Sequence, residues 1–448
     1  MKIKLSDHFT YKKLLRFTLP SIGMMIFTSV YCVIDGFFVS NFAGETAFTA
    51  VNFIMPFLMI LGAFGFMFGA GGSALVAKTM GEGKHERANS LFSLIVYVSF
   101  TLGIVIAILG MLLIRPLASL LGAEGAMLEG CVDYGFIIAI GLPFYMLQME
   151  FQSFMIAAEK PQLSLYFTLA AGCTNIVLDA LFVGAFGWGL EGAAFATISS
   201  QFVGFILPAV YFFKRNSSLL RLGKPILDFG ALVKTCTNGS SELMTNISMS
   251  LVGILYNYQL LKYAGESGVA AYGVLMYVNF IFVSAFIGYS IGCAPVIGYH
   301  YGAENPKELR NLLKRSLIIV IISSAAMVGI SLALATPMSH LYVGYNPDLF
   351  SMTRTGFLYS SFAFLFTGTA IFGSSFFTAL NNGPVSAIIS FLRTLVFQTV
   401  AVLAIPVIME KAGGDGITGI WLSIVIAEAM AVVVTVSFLL AKRKKYNY

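Results

Sequence analysis

Two aspartates of this sequence, Asp35 and Asp179, lie inside long apolar stretches, where ionisable side chains are rare and mark functional sites. Each lies about five residues from the end of its stretch, so in a helix each would lie roughly 8 Å below the same surface. Asn175 is one helical turn before Asp179 and therefore shares its face. Thr197 lies about seven residues into the following stretch, at a depth of roughly 10 Å. These oxygen-bearing groups predict a site for a proton or for a small hard cation.

Three further carboxylates, Glu150, Glu242 and Glu428, also lie well inside apolar stretches, while Asp133 and Glu191 lie at the edges of such stretches. A charged side chain at the centre of a membrane costs about 2.5–3.5 kcal/mol on insertion scales, so each of these carboxylates needs a reason to be there. The sequence identifies no partner for Glu150 or Glu428, and we assign no role to either residue.

The composition indicates what surrounds these residues. Of 448 residues, 58% are hydrophobic and only 11% are charged, and the mean hydropathy is +0.86. Soluble domains are typically about 25% charged, so this chain lacks the charge needed to cover a surface that faces water. These values exclude a soluble enzyme, a nucleic-acid-binding protein and a disordered regulator. They predict an all-α polytopic membrane protein.

Stretches of roughly 20 apolar residues are long enough to cross a bilayer as α-helices, whereas open strands would leave backbone groups unsatisfied in lipid. The sequence predicts twelve such transmembrane helices. Their approximate bounds are 12–39, 48–77, 91–114, 131–157, 162–184, 190–213, 231–261, 268–300, 316–336, 353–380, 385–408 and 417–441. The first stretch follows a basic segment, as in a signal peptide. It is too long for one and lacks a small-residue cleavage site, so it is predicted to remain as a span.

The distribution of lysine and arginine predicts the orientation of these spans. All but five of the 27 cations fall in the terminal segments or in the loops on the same side as the termini. The exceptions are Arg115, Lys262, Arg354, Lys411 and Arg393, of which only Arg393 lies within a span. By the positive-inside rule both termini face the cytoplasm. The net charge of +6 therefore reflects topology and is no evidence for a nucleic-acid partner.

The two halves of the chain repeat one pattern at a constant spacing of about 220 residues. The repeated elements are Ala43-Gly44-Glu45-Thr46 with Ala264-Gly265-Glu266-Ser267, Met55 with Met276, Gly71 with Gly292, and Gly81 with Gly302. Each repeat contains six spans, so both enter the membrane from the same side and form two pseudo-symmetric lobes around a central cleft. This division predicts an N-lobe at 1–213, a cytoplasmic linker at 214–234 and a C-lobe at 235–448.

Taken together, these motifs resemble the MATE family of multidrug and toxic-compound extrusion antiporters, in particular its bacterial multidrug branch. The residues that carry the resemblance are Pro20, the run 33–40 around Asp35, Gly81-Glu82-Gly83, Asn175 with Asp179, and Gly189-Leu190-Glu191-Gly192 leading to Thr197. The resemblance covers essentially the whole chain. It implies the same twelve-span, two-lobe fold and a location in the cytoplasmic membrane of a bacterium.

The resemblance also implies roles for individual residues. The residues that match the N-lobe coupling-ion site of the family and its supporting tyrosines are Asp35, Asn175, Asp179, Thr197, Tyr31 and Tyr134. Bending of the first span at Pro20 is implied as well, and a proline removes one hydrogen bond of that helix. Glu242 matches an acidic residue of some members, which makes it a candidate for the attraction of cationic substrates, with a solvated residue of the vestibule as the alternative. Those members pair it with an aspartate in span 10, but residues 353–380 contain neither Asp nor Glu, which favours the N-lobe site.

The resemblance thus implies a monomeric secondary transporter that exports lipophilic, cationic drugs or toxic compounds in exchange for H⁺ or Na⁺. No cofactor and no enzymatic activity are expected. The choice between the two ions stays open, because the same oxygens serve either.

Three alternative functions agree less well with the sequence. The main alternative is a flippase for lipid-linked precursors, but a pyrophosphate substrate would require several cations inside the spans, where only Arg393 lies. A passive channel is a further alternative. An intramembrane hydrolase is disfavoured, because the histidines are scattered at His8, His85, His300 and His340 and form no metalloprotease motif.

Overall fold

The computed structural model describes residues 3–43, 45–120, 122–214 and 216–448, and within these ranges it contains helices and connections but no β-strand. The α-helices are α1 (Tyr11–Phe38), α2 (Glu45–Gly81), α3 (His85–Leu120), α4 (Gly125–Ala157), α5 (Pro161–Asp179), α6 (Gly189–Phe213), α7 (Phe229–Gly302), α8 (Pro306–Val343), α9 (Pro347–Ser360), α10 (Phe364–Ala379), α11 (Gly383–Phe391), α12 (Gln398–Lys411) and α13 (Gly416–Tyr446). Short π or 3₁₀ turns continue or join them at Val39–Ala43, Ala180–Ala185, Ser361–Ala363 and Leu392–Phe397.

The twelve predicted spans are confirmed. Within the described ranges, eleven helical segments are long and apolar enough to cross a membrane, and the 74-residue α7 supplies two spans. The two spans meet at Gly265, whose φ of 62° and ψ of −156° suit glycine because it has no Cβ. Helices α9 and α10 together form one span, and α11 and α12 form another.

Several helices begin earlier than the hydropathy predicts, because local capping signals start them outside the membrane. Helix α7 begins at Phe229, so the last residues of the predicted linker 214–234 are helical. The side chain of Asp228 caps this helix by accepting a hydrogen bond of 2.9 Å from the backbone N–H of Ala231. Pro306 begins α8, well before the predicted start of that span, and proline suits the first position of a helix.

Among the described residues, buried apolar side chains form three clusters whose distribution defines the arrangement of the lobes. One cluster belongs to the N-lobe and includes Ile54 and Ile138, and another belongs to the C-lobe and includes Val252 and Trp421. The third draws residues such as Phe17 from both lobes, on the side of the bundle where the termini lie. The lobes therefore pack together at that end and have separate cores at the opposite end.

Glycines bring α2 and α7 into backbone contact where the lobes meet. A Cβ atom at Gly71 would lie well under 3.0 Å from the carbonyl oxygen of Thr235. A Cβ atom at Gly239 would lie equally close to the carbonyl oxygen of Met67. Side chains larger than hydrogen do not fit at these two positions unless the lobes move apart.

A second contact, at the ends of the same helices, is reciprocal. A Cβ atom at Gly81 would collide with the carbonyl oxygen of Tyr299, and one at Gly302 would collide with the carbonyl oxygen of Lys78. In the sequence repeat Gly81 corresponds to Gly302, and Lys78 corresponds to Tyr299 at the same spacing. Each lobe therefore offers the other the same surface at this point.

The segment before α1 is bound to both lobes. The backbone N–H of Leu5 donates a hydrogen bond of 2.8 Å to Glu159, which lies between α4 and α5 in the N-lobe. The backbone N–H of Phe9 donates one of 2.9 Å to Glu308, near the start of α8 in the C-lobe, and Nδ1 of His8 lies 2.7 Å from the other oxygen of Glu308. Leu5 and Phe9 are fully buried. We call these contacts the N-terminal bridge, and they join the lobes at the end where they are closed.

Candidate functional site

Both candidate aspartates precede a π-helical turn. The backbone N–H of Val39 donates to the carbonyl oxygen of Asp35, and the π turn Val39–Ala43 begins there. Asp179 is the last residue of α5, and the π turn Ala180–Ala185 follows it directly. A π turn widens the helix locally and is frequent at functional sites. No local sequence signal predicted either turn.

Gly172 allows α1 and α5 to approach each other below these turns. A Cβ atom at Gly172 would lie 2.8 Å from Cδ1 of Tyr31 and closer still to the ring of Phe27. The two rings pack together with their centroids 5.9 Å apart. Tyr31 therefore lies at the contact between the helices, one turn before Asp35, and this packing holds Asp35 beside α5.

Asp35, Asn175 and Asp179 come together at this contact. Asp179 is fully buried, and Asn175 is 2% exposed. The Asp35 carboxyl lies within electrostatic range of both side chains. In the described part of the chain, one oxygen of Asp35, the amide oxygen of Asn175 and both carboxyl oxygens of Asp179 are buried without a hydrogen-bond partner.

These four oxygen atoms form a site that favours a positive charge. A buried polar group without a partner typically costs about 1–3 kcal/mol. Two ionised carboxylates that interact inside a membrane would in addition repel each other, which disfavours the state in which both are charged. A proton or a small cation relieves both penalties. Because no cluster of three or more His, Cys, Asp or Glu side chains occurs among the described residues, Na⁺ would need amide or hydroxyl oxygens besides the two carboxylates.

Two other predicted residues lie around this group. Tyr134 is 1% exposed and lies within electrostatic range of Asp35 and Asp179. Thr197 is half-buried on α6, which packs against both π turns. In the ranges that the structure describes, no hydrogen bond links the Thr197 hydroxyl to either carboxylate; the carbonyl of Thr197 accepts one from Ser200 within α6. The structure thus brings three of the four predicted ligands together and leaves Thr197 on the adjacent helix.

Pro20 lies in the part of α1 that packs against the second span of α7. A Cβ atom at Gly288 would lie 2.6 Å from the carbonyl oxygen of Ser21, and one at Gly292 would lie 3.0 Å from the side chain of Thr18. The proline is buried and removes one hydrogen bond within α1. The weak point of α1 is therefore located where this helix of the N-lobe touches the C-lobe.

The C-lobe contains a cavity of about 670 Å³, which is within the range that drug-sized ligands occupy. Its lining is mainly apolar, and three charged side chains of the described residues reach it: Glu242, Arg393 and Glu428. Asn52 of α2 also lines the cavity, so the cavity extends to the N-lobe. Among the described residues, the carboxyl group of Glu242 has no hydrogen-bond partner; only its backbone carbonyl accepts a bond, from Asn246.

Glu428, for which the sequence identified no partner, is paired with Arg393. Nε of Arg393 donates to Glu428 at 2.9 Å, and the side chains are 12% and 7% exposed. Arg393 lies about ten residues, roughly 15 Å, after Gly383, where its span begins on the side of the termini. Glu428 lies about twelve residues, roughly 18 Å, after Gly416, where its own span begins on the other side of the membrane. Matching these depths across a bilayer about 30 Å thick would have indicated the pair. A prediction that considers each charged residue alone does not find the pair of Arg393 and Glu428.

Glu150 is fully buried in α4, and both oxygens of its carboxyl lack a hydrogen-bond partner in the described ranges. Its backbone faces Gly69 of α2, where a Cβ atom would lie 3.1 Å from Cα of Glu150. The hydroxyl of Ser99 nearby is also unpartnered. Among the described residues, no cation pairs with this carboxyl.

Comparison with known proteins gives concordant results. The sequence profile of the family MatE matches residues 20–181 and 243–403, one stretch in each predicted half. A multidrug export protein MepA of Staphylococcus haemolyticus is 24% identical over 431 residues, which cover 94% of this chain and 91% of that protein. The MepA protein of Staphylococcus aureus strain MRSA252 is 23% identical with the same coverage.

Solved structures share the fold. One is described as the outward-facing conformation of a multidrug resistance MATE family transporter of the MOP superfamily. It superimposes with a TM-score of 0.90 at 22% identity, covering 98% of this chain and 97% of that one. The arrangement of twelve spans in two lobes therefore agrees with the sequence prediction.

Proposed function

The chain belongs to the MATE family of transporters, and on this premise we propose that it exports amphipathic toxic compounds, drugs included, in exchange for H⁺ or Na⁺. The observation that carries the proposal is the group of four unpartnered oxygen atoms on Asp35, Asn175 and Asp179, buried where α1 meets α5. Such a group binds a positively charged ion, and the protein around it has to change conformation before the ion is released. The name of the staphylococcal relatives, multidrug export protein, supports the direction of transport and the substrate class.

The coupling step follows from the electrostatics of the aspartate pair. In the free state the two ionised carboxylates repel each other. In the bound state both carboxylates attract the same cation. The two states therefore favour different packings of α1 and α5. An ion shifts the equilibrium between two conformations only by the difference of its affinities for them. Bending of α1 at Pro20, where this helix touches α7, would connect the ion site with the contact between the lobes.

In this scheme substrate and coupling ion use different lobes. Glu242 attracts cationic compounds to the C-lobe cavity, because its carboxyl has no partner among the described residues and the cavity wall is mainly apolar. The coupling ion and the substrate then compete because they favour different conformations of the lobes, and no residue has to bind both of them. One chain contains both sites, so the transporter acts as a monomer.

The distribution of positive charge supports an orientation of the protein in the membrane. Most of the 27 cations lie on the side of the termini, which supports a cytoplasmic location for both termini and insertion in the cytoplasmic membrane of a bacterium. The lobes are packed together on that side, as the clusters of buried residues indicate. The conformation described here is then closed to the cytoplasm, and its ion site faces the outside, where H⁺ or Na⁺ enters.

A flippase for lipid-linked precursors is the less favoured function. A pyrophosphate group needs several unpaired cations, whereas among the described residues Arg393 is the one cation that lines the cavity, and this side chain already binds Glu428. With Glu242 included, the three charged groups of the cavity sum to a negative value when they are ionised. Such a cavity repels phosphates.

The test is transport of a cationic dye in reconstituted vesicles, with a pH gradient and a sodium gradient imposed separately. In wild-type protein one of the two gradients will drive dye transport against its concentration gradient. Asp35→Asn and Asp179→Asn will reduce gradient-driven transport tenfold or more, because each removes one of the two charges that the ion neutralises. Exchange of labelled for unlabelled dye without a gradient will be retained, since the substrate cavity is in the other lobe.

Asp133→Asn is the matched control, because this aspartate lies on α4 next to Tyr134 but is exposed. Its gradient-driven transport will stay within about twofold of wild type, as expected for a surface substitution. The proposal is wrong if neither gradient drives transport by the wild-type protein, or if Asp35→Asn behaves like the control.

A further inference from the structure

Two helices from different lobes carry exposed cations at the end where the lobes are closed. Lys12 and Arg16 belong to α1 of the N-lobe, and Lys307, Arg310 and Lys314 belong to α8 of the C-lobe. Among the described residues none of these five side chains, which we call the junction cations, forms an ion pair. Lys12 and Lys307 lie in the first turn of their helices, where the helix dipole disfavours a positive charge. The junction cations therefore do not stabilise their own helices.

The carboxylates near the junction cations in sequence do not neutralise them. Asp7 lies 2.9 Å from Nζ of Lys13. Glu308 accepts a hydrogen bond of 2.9 Å from the backbone N–H of Phe9, as part of the N-terminal bridge. Glu304 is exposed and forms no ion pair with a described residue. The surface therefore keeps a positive charge that the described residues do not balance.

Helices α1 and α8 present the junction cations on the same side of the bundle. The ring of Tyr11 on α1 lies 4.7 Å from the guanidinium carbon of Arg315 on α8, so the two helices begin side by side. Both helices also pack against the second span of α7. Thr18 of α1 contacts a glycine of that span, and Ser316 of α8 accepts a hydrogen bond of 3.0 Å from Tyr289. The exposed faces of α1 and α8 consequently both point away from α7, toward the lipid.

The two exposed faces have the same order of cationic and apolar side chains. Lys12 and Lys314 lie at one level, because each is next in sequence to a member of the ring contact between the helices. Two turns further along the same faces lie Leu19 and Ile321, whose side chains are 64% and 57% exposed. Two helical turns correspond to roughly 10 Å. A level of positive charge thus lies roughly 10 Å from a level of exposed apolar side chains, as the phosphate and the acyl chains of a phospholipid require.

We propose that the junction cations bind an anionic phospholipid of the leaflet on the side of the termini, and that this lipid joins the two lobes. Its phosphate group lies between Lys12 and Lys314, and its acyl chains lie against Leu19 and Ile321. Basic clusters between membrane helices bind anionic headgroups through such contacts. When the lobes separate at this end, the lipid loses its contacts with one of them. Binding therefore shifts the equilibrium toward the conformation that is closed here.

The first measurement is the affinity of the purified full chain for phosphatidylglycerol and for phosphatidylcholine, determined by native mass spectrometry. The wild type will bind phosphatidylglycerol about fivefold or more tightly than phosphatidylcholine, the effect typical of a basic side chain near an anionic lipid. Lys12→Gln combined with Lys314→Gln, the junction variant, will abolish this preference, because it removes one cation from each lobe. If the junction variant does not fold, as judged by gel filtration, Arg16→Gln combined with Arg310→Gln replaces it with the same expected result. Equal affinities of the wild type for the two lipids overturn the proposal.

Lys224→Gln combined with Lys444→Gln is the matched control. It removes the same charge on the side of the termini at exposed positions outside α1 and α8, where neither lysine forms an ion pair with a described residue. The control will keep the preference for phosphatidylglycerol within about twofold of wild type, as expected for a surface substitution. A loss as large as that of the junction variant would show that the lipid responds to net charge alone, and this result overturns the proposal.

The second measurement tests whether the lipid holds the lobes together. The thiol of Cys236 is half-buried beside Thr235, which belongs to the glycine contact between α2 and α7. Its labelling rate with an uncharged maleimide is measured in nanodiscs of either lipid, in protein in which Cys236 is the only cysteine. The wild type will be labelled about threefold or more slowly in phosphatidylglycerol, by the population shift that binding produces, and the junction variant will be labelled equally in both lipids. Equal rates in the wild type overturn the proposal.

The outcome of these measurements is independent of the export function. Both leaflets of a nanodisc contain the same lipid, so the result does not depend on which side of the protein faces the cytoplasm. Neither measurement uses an ion gradient or a transported compound. Failure of the lipid proposal therefore leaves the export function standing, and failure of gradient-driven dye transport leaves the lipid proposal standing.

Discussion

Replacing Gly239 by alanine will shift the transporter away from the conformation described here. A Cβ atom at this position would lie well under 3.0 Å from the Met67 carbonyl, whereas an ordinary contact needs 3.4–4 Å. The backbones of α2 and α7 would have to separate by more than an ångström, and overpacking of this kind typically costs about 1–3 kcal/mol. If the strain acts only on the closed contact, the equilibrium shifts about 5- to 150-fold toward a state open at this end.

The native thiol of Cys236 reports this shift. It is half-buried, next to Thr235, whose carbonyl faces Gly71 across the same contact. In protein in which Cys236 is the only cysteine, the labelling rate with a membrane-impermeant maleimide is measured from the side of the termini, in inverted membrane vesicles. Gly239→Ala will raise this rate at least fivefold.

Gly253→Ala is the matched control, because it makes the same change in the same helix at a position with no heavy atom within 4 Å. It will leave the labelling rate unchanged, and the added methyl group favours helix formation slightly. Equal labelling of the two variants, with both proteins folded as judged by their melting temperatures, would show that the glycine contact does not hold the lobes together.

Three further predictions concern other parts of the molecule. Gly172→Ala will push α1 from α5 and reduce gradient-driven transport about tenfold, whereas Gly184→Ala, with open space around it, will change it less than twofold; vesicle transport assays compare them. The double variant Glu159→Gln and Glu308→Gln will weaken the N-terminal bridge and raise the same thiol labelling rate about two- to tenfold. Glutamine keeps an acceptor but not the charge, and a hydrogen bond contributes about 0.5–1.5 kcal/mol with a neutral partner against about 1.5–3 kcal/mol with a charged one, a difference of about 1 kcal/mol. Glu150→Gln will change the free energy of unfolding by less than about 1 kcal/mol in denaturant titrations, because the Glu150 carboxyl binds no cation among the described residues. The variant will also retain transport. A large loss of transport would show that Glu150 has a functional role.

The fold was largely predictable from the sequence, because few backbone structures are stable in a lipid bilayer. Hydropathy located the spans, and the cations located the side of the termini, since both quantities depend on composition alone. The ends of the helices were less predictable. The residues after Pro306 are polar and lie outside the hydropathy signal, yet the proline and the side chain of Asn305 start α8 there. Helix starts depend on capping, which the hydropathy window does not detect.

The candidate site was predictable where depth alone decides contact. Asp35, Asn175 and Asp179 share a level, so their side chains meet wherever α1 and α5 pack side by side, as they do here. The π turns and the approach of the helices at Gly172 were not predictable, because both depend on how α1 and α5 pack. The direction in which Thr197 points depends on the rotation of α6, which depth does not determine.

The reciprocal contact of Gly81 and Gly302 has a consequence for the origin and the assembly of the chain. Because each half offers the other the same surface, the contact has the geometry of an isologous interface in a twofold homodimer. A single six-span ancestor that dimerised through this surface would have contained the whole contact before duplication joined the copies. None of the described residues of the connection between Phe213 and Phe229 is among the nearest neighbours of these two glycines. Two separate half-chains, divided in that connection, therefore retain the complementary surfaces that they need to recognise each other.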